Sequence, residues 1–390
     1  MSKVSVKLVA LALTIIVIAA GVIVISFSQE SVRDHNGVNV ITDMRGVEVE
    51  VPENPSRVAI IDRGFIAQAL VALGVEDKVV ATGGLIGATI PPSTNTRDTL
   101  LLNEKYCELP NFGYPGYLAF NMEIFIDSNP DLVIWKQTIN GSTSPDAAAI
   151  MNVITNIVKV PLFVLLEPGY DGTPPKLDTT YDSIELLGKI FKKEERADEV
   201  LSLLKGKIGE ITHLTASLST EQKSTVMILG LASEGSGAYA YGSNYTHGLY
   251  IEEIAGVNNL VNDYTNQIIN IEGIISLNPD MIVLVDGPIN PILDTIYNDS
   301  RFSAWKVLDA IKNGNVCSIG QLAWWGEHMM NFPSILMIVA KQAHPDLFND
   351  IDLTNWIKEY EMELYGKTSE EALDLMYSEK LYWNNLIPGP

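Results

Sequence analysis

Two stretches of the chain follow one pattern: residues 121–134 are NMEIFIDSNPDLVI and residues 270–283 are NIEGIISLNPDMIV. They begin 149 positions apart, and six of their fourteen residues are identical. Most of the other positions exchange one apolar residue for another. Self-similarity at a fixed long offset is typical of an internally repeated structure. The chain is therefore predicted to contain one structural unit twice.

Each copy predicts a short helix followed by a strand. Asn121 and Asn270 can cap a helix start, which places Glu123 and Glu272 in the electropositive first turn. Asn-Pro-Asp then ends the helix, because proline cannot continue it and restricts the residue before it. The apolar run that follows predicts a strand buried on both faces of a parallel sheet.

The surrounding sequence predicts an α/β fold made of two Rossmann-like lobes with parallel sheets. Further apolar strands flank the copies at 57–61, 160–166 and 225–229, with helical patterns between them. Residues 194–218 keep helical apolar spacing without proline, which predicts a single long linker helix of about 37 Å. The expected divisions are a first lobe at 41–190, the linker helix at 191–220, a second lobe at 221–340 and a helical tail at 341–390.

The first thirty residues indicate export. Lys3 and Lys7 precede an uncharged, mostly apolar run at 8–27, which as a helix would span about 30 Å of bilayer. This predicts a signal anchor or transmembrane segment at 1–30 and a tether at 31–40. The flanking charges place the body outside the cytoplasm, either anchored in the cell membrane or secreted after signal cleavage.

Composition excludes several classes of partner and site. The 390 residues include 26 Lys and Arg against 48 Asp and Glu, a net charge of −22. Such a surface repels nucleic acid and anionic lipid head groups. The two cysteines are too few for a four-cysteine zinc site or a disulfide framework. A hydrophobic fraction of 47% indicates a globular chain with a substantial core.

The chain resembles the substrate-binding proteins of ABC importers for iron–siderophore, haem and corrinoid ligands. Besides the two repeated motifs, the resemblance rests on two stretches. They are ITDMRGVEVEVPENPSRVAII at 41–61, like the family's first hairpin and strand, and ILMIVAKQAHPDLFNDIDLTNWIKEYEMELYG at 335–366, like the C-terminal helices of some members.

The resemblance implies a receptor that captures a metal chelate between two lobes joined by one rigid helix, with neither enzymatic activity nor a cofactor. An iron–siderophore is the first expectation, and a corrinoid, haem or an oxyanion such as molybdate are the alternatives. The implied partners are an ABC permease dimer and its ATPase subunits. Glu123 and Glu272 would dock on permease arginines, as charge-assisted pairs can. Stabilisation of their own helix dipoles is the other role open to them.

Ligands of open α/β sheets bind beyond the carboxyl ends of the strands. Aromatic side chains there offer flat apolar walls with polar tips, and an arginine can pair with an anionic group. Ordinary packing is the alternative role for each candidate. The first-lobe candidates are Arg63, Tyr114, Tyr117, Trp135 and Tyr170, beside Lys136 and Glu167. The second-lobe candidates are Tyr239, Tyr241, Tyr245, His247, Trp324, Trp325 and His328.

Two competing kinds of site have weaker support. His247, His328 and Glu327 could converge on a bare metal ion, but their spacing is not diagnostic, so no metal site is assigned. An exported enzyme that uses the cleft between the lobes is the alternative class. Residues 235–240 match G-x-G-x-x-A, yet this single match continues into a tyrosine-rich run instead of a clear helix. Neither a nucleophile elbow nor a phosphate-binding P-loop occurs in the sequence.

Overall fold

The computed structural model describes residues 37–84, 102–115, 119–137, 145–169, 175–232, 235–242, 246–261, 268–285, 296–319, 330–378 and 381–382. Residues 39–390 form one compact unit, and the unit Met1–Val38 is described only at its last two residues. The predicted signal anchor at 1–30 lies outside the described residues. None of the described helices is long and apolar enough to cross a membrane.

The described chain begins with a β-hairpin, as the sequence predicted. Strands β1 (Val38–Thr42) and β2 (Glu48–Pro52) pair with each other. The Asp43 carboxylate stabilises the turn between them by accepting hydrogen bonds from the backbone N–H groups of Arg45 at 2.9 Å and Val47 at 3.1 Å. The hairpin leads directly to the first buried strand.

Lobe one, as we call the part built on the first large sheet, has four parallel strands in the order β4-β3-β5-β6. These are β3 (Val58–Asp62), β4 (Val79–Gly84), β5 (Leu132–Gln137) and β6 (Leu162–Leu166). Its helices are α1 (Phe65–Ala72), α2 (Met122–Asp127), α3 (Pro145–Asn152), which continues into a π-helical segment at Val153–Val158, and α4 (Leu177–Phe191).

Lobe two is built on a seven-stranded sheet with the order β10-β8-β7-β11-β12-β13, in which β9 also pairs with β7. Its strands are β7 (Thr225–Leu231), β8 (Gly237–Tyr241), β9 (Asn258–Asn259), β10 (Ile268–Asn270), β11 (Met281–Val285), β12 (Val316–Ile319) and β13 (Leu381–Tyr382). Its helices are α6 (Thr246–Ile254), α7 (Ile271–Leu277), α8 (Asp309–Lys312) and α9 (Phe332–Ala343).

The prediction of parallel sheets is correct for lobe one and wrong at the edges of lobe two. Strands β7, β11 and β12 are parallel, but β8 runs antiparallel to β7 and β13 runs antiparallel to β12. The chain reverses after β7 in a tight turn in which Gly235 has a φ of 70°. The N–H of Gly235 donates to the carbonyl of Ala232 at 3.0 Å. The second strand therefore follows as a hairpin, without a crossover helix.

The linker helix α5 (Glu194–Thr215) has 22 residues, slightly fewer than the sequence predicted. Two tail helices follow lobe two: α10 (Leu353–Tyr365) and α11 (Ser369–Ser378). One continuous hydrophobic core contains side chains from both sheets, from the linker helix and from the tail. Its members include Ile60 of lobe one, Leu204 of the linker and Ile228 of lobe two.

Candidate functional site

The repeated motif forms the same structure in both lobes. The Asn121 side chain caps α2 by accepting a hydrogen bond from the N–H of Ile124 at 3.2 Å, and Asn270 caps α7 through the N–H of Gly273 at 2.9 Å. Asn129 and Asn278 end these helices with φ values of 43° and 41°. The predicted helix caps and helix ends are thus confirmed in both copies.

The aspartate of each Asn-Pro-Asp motif holds the start of the neighbouring strand, a role that the sequence analysis missed. The Asp131 carboxylate accepts hydrogen bonds from the N–H of Ser56 at 2.9 Å and the N–H of Arg57 at 3.1 Å, just before β3. The Asp280 carboxylate accepts bonds from the N–H of Thr225 at 2.9 Å and from its hydroxyl at 2.6 Å. Both aspartates therefore fix the register at the amino end of the sheet.

Glu123 and Glu272 occupy equivalent, exposed positions in the first turns of α2 and α7. Buried apolar residues anchor each helix: Phe125 in α2, whose ring centroid lies 5.4 Å from that of Phe112, and Ile271 and Ile274 in α7. Phe125 and Ile274 are themselves 149 positions apart. Because the rest of each short helix is well anchored, each glutamate is presented on a fixed support.

Both glutamates lie near the carboxyl end of their own sheet. In lobe one, the N–H of Asn121 donates to the carbonyl of Phe112 at 2.7 Å, and Phe112 in turn bonds to Thr82 of β4. In lobe two, the N–H of Ile271 donates to the carbonyl of Ser236 at 2.9 Å, just beyond the end of β7. The predicted docking residues thus share an edge with the predicted ligand-facing loops.

The carboxyl edge of lobe one contains a buried aspartate that the sequence analysis did not single out. Asp62 ends β3, and its Oδ2 accepts hydrogen bonds from the N–H groups of Gly64 at 3.0 Å and Ile66 at 2.5 Å. Burial raises the pKa of Asp62, while the Lys136 charge and the backbone donors oppose that rise. A side chain at Gly84 would collide with the Asp62 carbonyl, so this edge requires glycine. Asp62 therefore orients the start of α1 directly after Arg63.

Arg63 and Tyr114 are brought together at this edge. The Arg63 Cζ atom lies 5.6 Å from the centroid of the Tyr114 ring, within the range of a cation–π interaction. Arg63 is half-buried, whereas Tyr114 is only 2% exposed. Trp135 is 3% exposed and belongs to the same hydrophobic cluster as Tyr114. The two aromatic residues form the apolar support of the edge.

Lys136 and Glu167 place two more charges beside this edge. Lys136 is 4% exposed, and its Nζ lies 4.2 Å from the centroid of the Phe65 ring. Glu167 directly follows β6 and is 3% exposed. Its N–H donates to the carbonyl of Gln137 at the end of β5 at 3.1 Å. Positive and negative groups thus alternate along the ends of adjacent strands.

In lobe two, Tyr239 and Tyr241 lie within β8 and not in a loop. They pair with Gly230 and Ile228 of β7, and Tyr241 is 4% exposed in the large core. Tyr239 is partly buried against the same core. His247 falls in α6, and its side chain is outside the described part of the structure. The remaining candidates also lie outside the described residues: Tyr117, Tyr170, Tyr245, Trp324, Trp325 and His328.

The glycines of the G-x-G-x-x-A match serve packing. The segment leads into strand β8, whereas a dinucleotide turn leads into a helix. A side chain at Gly235 would collide with the carbonyl of Arg301, and one at Gly237 would collide with the carbonyl of Ile269. The Trp305 indole also donates to the carbonyl of Gly235 at 3.0 Å. Within the described segments, His, Cys, Asp and Glu side chains form no group of three that could hold a metal ion.

The chain is similar in sequence to two curated binding proteins. The molybdate-binding protein MolA of Haemophilus influenzae is 24% identical over 355 residues, which cover 84% of this chain and 90% of MolA. The petrobactin-binding protein YclQ of Bacillus subtilis is 24% identical over 285 residues, which cover 71% of this chain and 78% of YclQ.

Solved structures share the fold. MolA bound to molybdate matches with a TM-score of 0.65 at 18% identity, covering 85% of this chain and 98% of that chain. The periplasmic catecholate-siderophore binding protein VctP from Vibrio cholerae matches with a TM-score of 0.57 at 17% identity, and the match covers 78% of this chain and 99% of VctP.

The family model described as periplasmic binding protein matches residues 62–322. The match begins at the last residue of β3 and includes strands of both sheets and the whole linker helix. It covers more than half of the sequence. The chain belongs to the periplasmic binding protein family.

Proposed function

We propose that the chain is the extracytoplasmic substrate-binding protein of an ABC importer. It captures a solute between its two lobes and delivers it to a permease dimer whose ATPase subunits drive transport. The observation that carries this proposal is the pair of exposed carboxylates, Glu123 and Glu272, on equivalently built helices. The names of the similar proteins, which describe binding proteins, support a receptor over an exported enzyme that uses the cleft.

The placement of these glutamates supports docking through them. Each carboxylate is exposed, lies on a helix anchored by buried apolar side chains, and lies near the carboxyl end of its sheet. An arginine can pair with a carboxylate through two parallel hydrogen bonds. Two such pairs, one for each lobe, would fix the orientation of the receptor on a dimeric permease.

The proposed solute is a metal chelate of the iron–siderophore type. Arg63, supported by the buried ring of Tyr114, offers a cation at the ligand-facing edge of lobe one, which suits an anionic chelate. The other sequence-derived candidates remain proposed members of the pocket, except Tyr241, which is buried in the core. The similarity to MolA, over 84% of this chain, favours an oxyanion such as molybdate as the second candidate. Corrinoid and haem complete the set to be tested.

We also propose that the body is held at the outer face of the cell membrane by residues 1–30. The support is the uncharged run at 8–27 with Lys3 and Lys7 before it. Protease added to intact cells should digest the body. Full protection of the body from that protease would contradict the proposed location.

The docking proposal is tested by reversing both charges together, Glu123→Arg with Glu272→Arg, in cells that depend on the importer. Solute uptake should be lost while the affinity of the purified receptor for the solute is unchanged, because neither residue is assigned to the pocket. The matched control is Asp127→Arg with Ser276→Arg, at exposed positions 149 residues apart near the other ends of α2 and α7. Normal uptake by the Glu123 and Glu272 double variant would contradict docking through these residues.

A further inference from the structure

The C-terminal tail contacts lobe two at several points. The Tyr360 hydroxyl of α10 donates a hydrogen bond to the carbonyl of Met330, and the Tyr365 hydroxyl donates to the Asn331 side chain at 3.0 Å. Met330 and Asn331 directly precede α9. The end of the tail returns to lobe two as β13, which pairs with β12. The tail is thus attached to lobe two at both of its ends.

The same tail helix lies against the linker. The Trp356 indole donates a hydrogen bond to the Glu210 carboxylate of α5 at 2.7 Å. A second residue of α5, Lys207, also contacts this side chain: its Nζ lies 4.7 Å from the centroid of the Trp356 ring. Trp356 also stacks on Tyr360, with 6.2 Å between ring centroids. The linker and the lobe-two attachment therefore meet at one stacked aromatic pair.

Arg196, near the start of the linker helix, joins the tail to lobe one. Its Nε donates to the carbonyl of Ala72, the last residue of α1, at 2.9 Å. Its Nη2 donates to the carbonyls of Leu364 at 2.8 Å and Glu363 at 3.1 Å, at the end of α10. A second connection runs from Lys367 Nζ to the carbonyl of Leu102 at 3.0 Å.

We infer that the described tail residues, 344–378 and 381–382, form a strap that holds the two lobes at one angle, and that Arg196 is the positioning residue that ties the strap to lobe one. A planar guanidinium suits this position, because it can donate to two helix ends at once. The last carbonyls of each helix lack partners within their own helix and carry partial negative charge. Arg196 therefore neutralises two helix ends and joins them.

The strap adds a constraint that the linker alone does not provide. The linker helix alone joins the lobes at one place, so one lobe could rotate relative to the other about the helix. Such a rotation would separate the facing edges of the two lobes. The tail crosses from lobe two to lobe one and returns, so such rotation must break the Arg196 and Lys367 hydrogen bonds. Helix α1, which Arg196 holds at its end, begins two residues after Arg63. The strap thus fixes one wall of the proposed cleft, whichever solute binds there.

The test measures the distance between lobes in the full-length, ligand-free chain. Spin labels are placed at Asp127→Cys and Ser276→Cys, exposed positions on α2 and α7. Cys107→Ser removes one native thiol, and the other, Cys317, is buried. Double electron–electron resonance then gives the distance distribution for the parent protein, for Arg196→Met and for Arg196→Lys.

We expect Arg196→Met to broaden the distribution and shift its maximum, and Arg196→Lys to reverse part of the change. Hydrogen exchange of α10 should accelerate by about tenfold, since losing bonds from a charged donor costs about 1.4 kcal/mol or more. The matched control is Arg301→Met, because Arg301 pairs with Asp299 at 2.6 Å inside lobe two. That control should leave both measurements unchanged.

A distribution identical to the parent in folded Arg196→Met would overturn the strap, even if hydrogen exchange of α10 increases, because the role of Arg196 would then be local. If Arg196→Met does not fold, Lys367→Met takes its place, since Lys367 makes the second lobe-one connection. An unchanged distribution in that variant would equally overturn the inference. Neither result depends on the solute or on the permease.

Discussion

Asp280 holds Thr225 by two hydrogen bonds, one from its backbone N–H at 2.9 Å and one from its hydroxyl at 2.6 Å. Asp131, 149 positions earlier, holds Ser56 in the same way, with 2.9 Å to the N–H and 3.0 Å to the hydroxyl. The aspartate of each Asn-Pro-Asp tripeptide therefore links the repeated motif to the start of strand β3 or β7 in its own lobe. The motif is therefore a structural clamp as well as a support for the proposed docking helix.

Replacing either aspartate by alanine should destabilise the protein. Asp131→Ala and Asp280→Ala each remove a charged acceptor of several hydrogen bonds, so the free energy of unfolding should fall by about 1.5 kcal/mol. Urea unfolding measures this change. Asp127→Ala, a change at an exposed position at the end of α2, should stay within about 0.5 kcal/mol of the parent. Equal stabilities of the Asp131 and Asp127 variants would show that the clamp has no energetic role.

Arg63→Met should weaken solute binding and leave the fold intact. The guanidinium lies at the ligand-facing edge, and a hydrogen bond to a charged group contributes about 1.5–3 kcal/mol, so the Kd should rise at least about tenfold. Calorimetric titration with the solute that the parent protein binds gives this ratio. Arg301→Met, in an exposed pair within lobe two, should bind that solute as the parent does. An unaltered Kd for Arg63→Met would remove Arg63 from the pocket.

His344 should make stability depend on pH. Desolvation lowers the pKa of the buried His344 ring, and the nearby Lys223 charge acts in the same direction, against the hydrogen bond to the Gly256 carbonyl. The unfolded chain takes up a proton near pH 6.5, whereas the folded chain does so only at lower pH. Stability from this group is therefore complete above pH 6.5 and falls as the pH drops below it.

Thermal unfolding of the parent and of His344→Gln between pH 7.5 and 5.5 tests whether His344 causes a loss of stability on acidification. The loss of stability on acidification should be smaller in the variant, because the variant has no ring to protonate. His213, exposed on the linker helix, provides the control change His213→Gln. A parent and a His344→Gln protein with the same pH dependence would contradict the assignment.

Cys317 should be chemically inert in the folded protein. It is fully buried in β12, and burial raises the pKa of its thiol, so the reactive thiolate is suppressed. In a Cys107→Ser variant, a thiol reagent should label Cys317 only as fast as the chain unfolds. In denaturant, one thiol per chain should react. Rapid labelling of the native variant would show that the β12 environment is open.

The local structure of the repeat could be predicted from the sequence because short-range chemistry determines it. Asn121 and Asn270 cap helices, and the residues before the prolines end them, through contacts within a few positions. The β8 hairpin was missed because the glycines of residues 235–240 also fit a turn into a helix, whereas in the folded chain Gly235 adopts a φ of 70° before a strand. The dual role of Arg196 was also missed, since its two carbonyl partners come from helices far apart in sequence.

The candidate site could be predicted only in part. Periodicity places Arg63 after a strand, but it does not reveal that Tyr114 packs 5.6 Å from its guanidinium. Tyr241 alternates with alanines in a tyrosine-rich run that resembles a binding loop. In the folded chain this run is strand β8, and Tyr241 lies in the core shared by the lobes. The face of a sheet on which a side chain lies depends on the strand register, and the number of tyrosines in a segment does not reveal that register.

Thermal unfolding of the full-length protein in the presence of candidate solutes tests whether the chain is a solute receptor. The solutes are ferric siderophores, molybdate, cobalamin and haem. One of them should raise the unfolding temperature saturably and selectively, since a ligand at one hundred times its Kd stabilises the folded state by about 2.7 kcal/mol. Arg63→Met should shift that saturation to higher concentration. An unfolding temperature unaffected by every one of these solutes would contradict the proposed function.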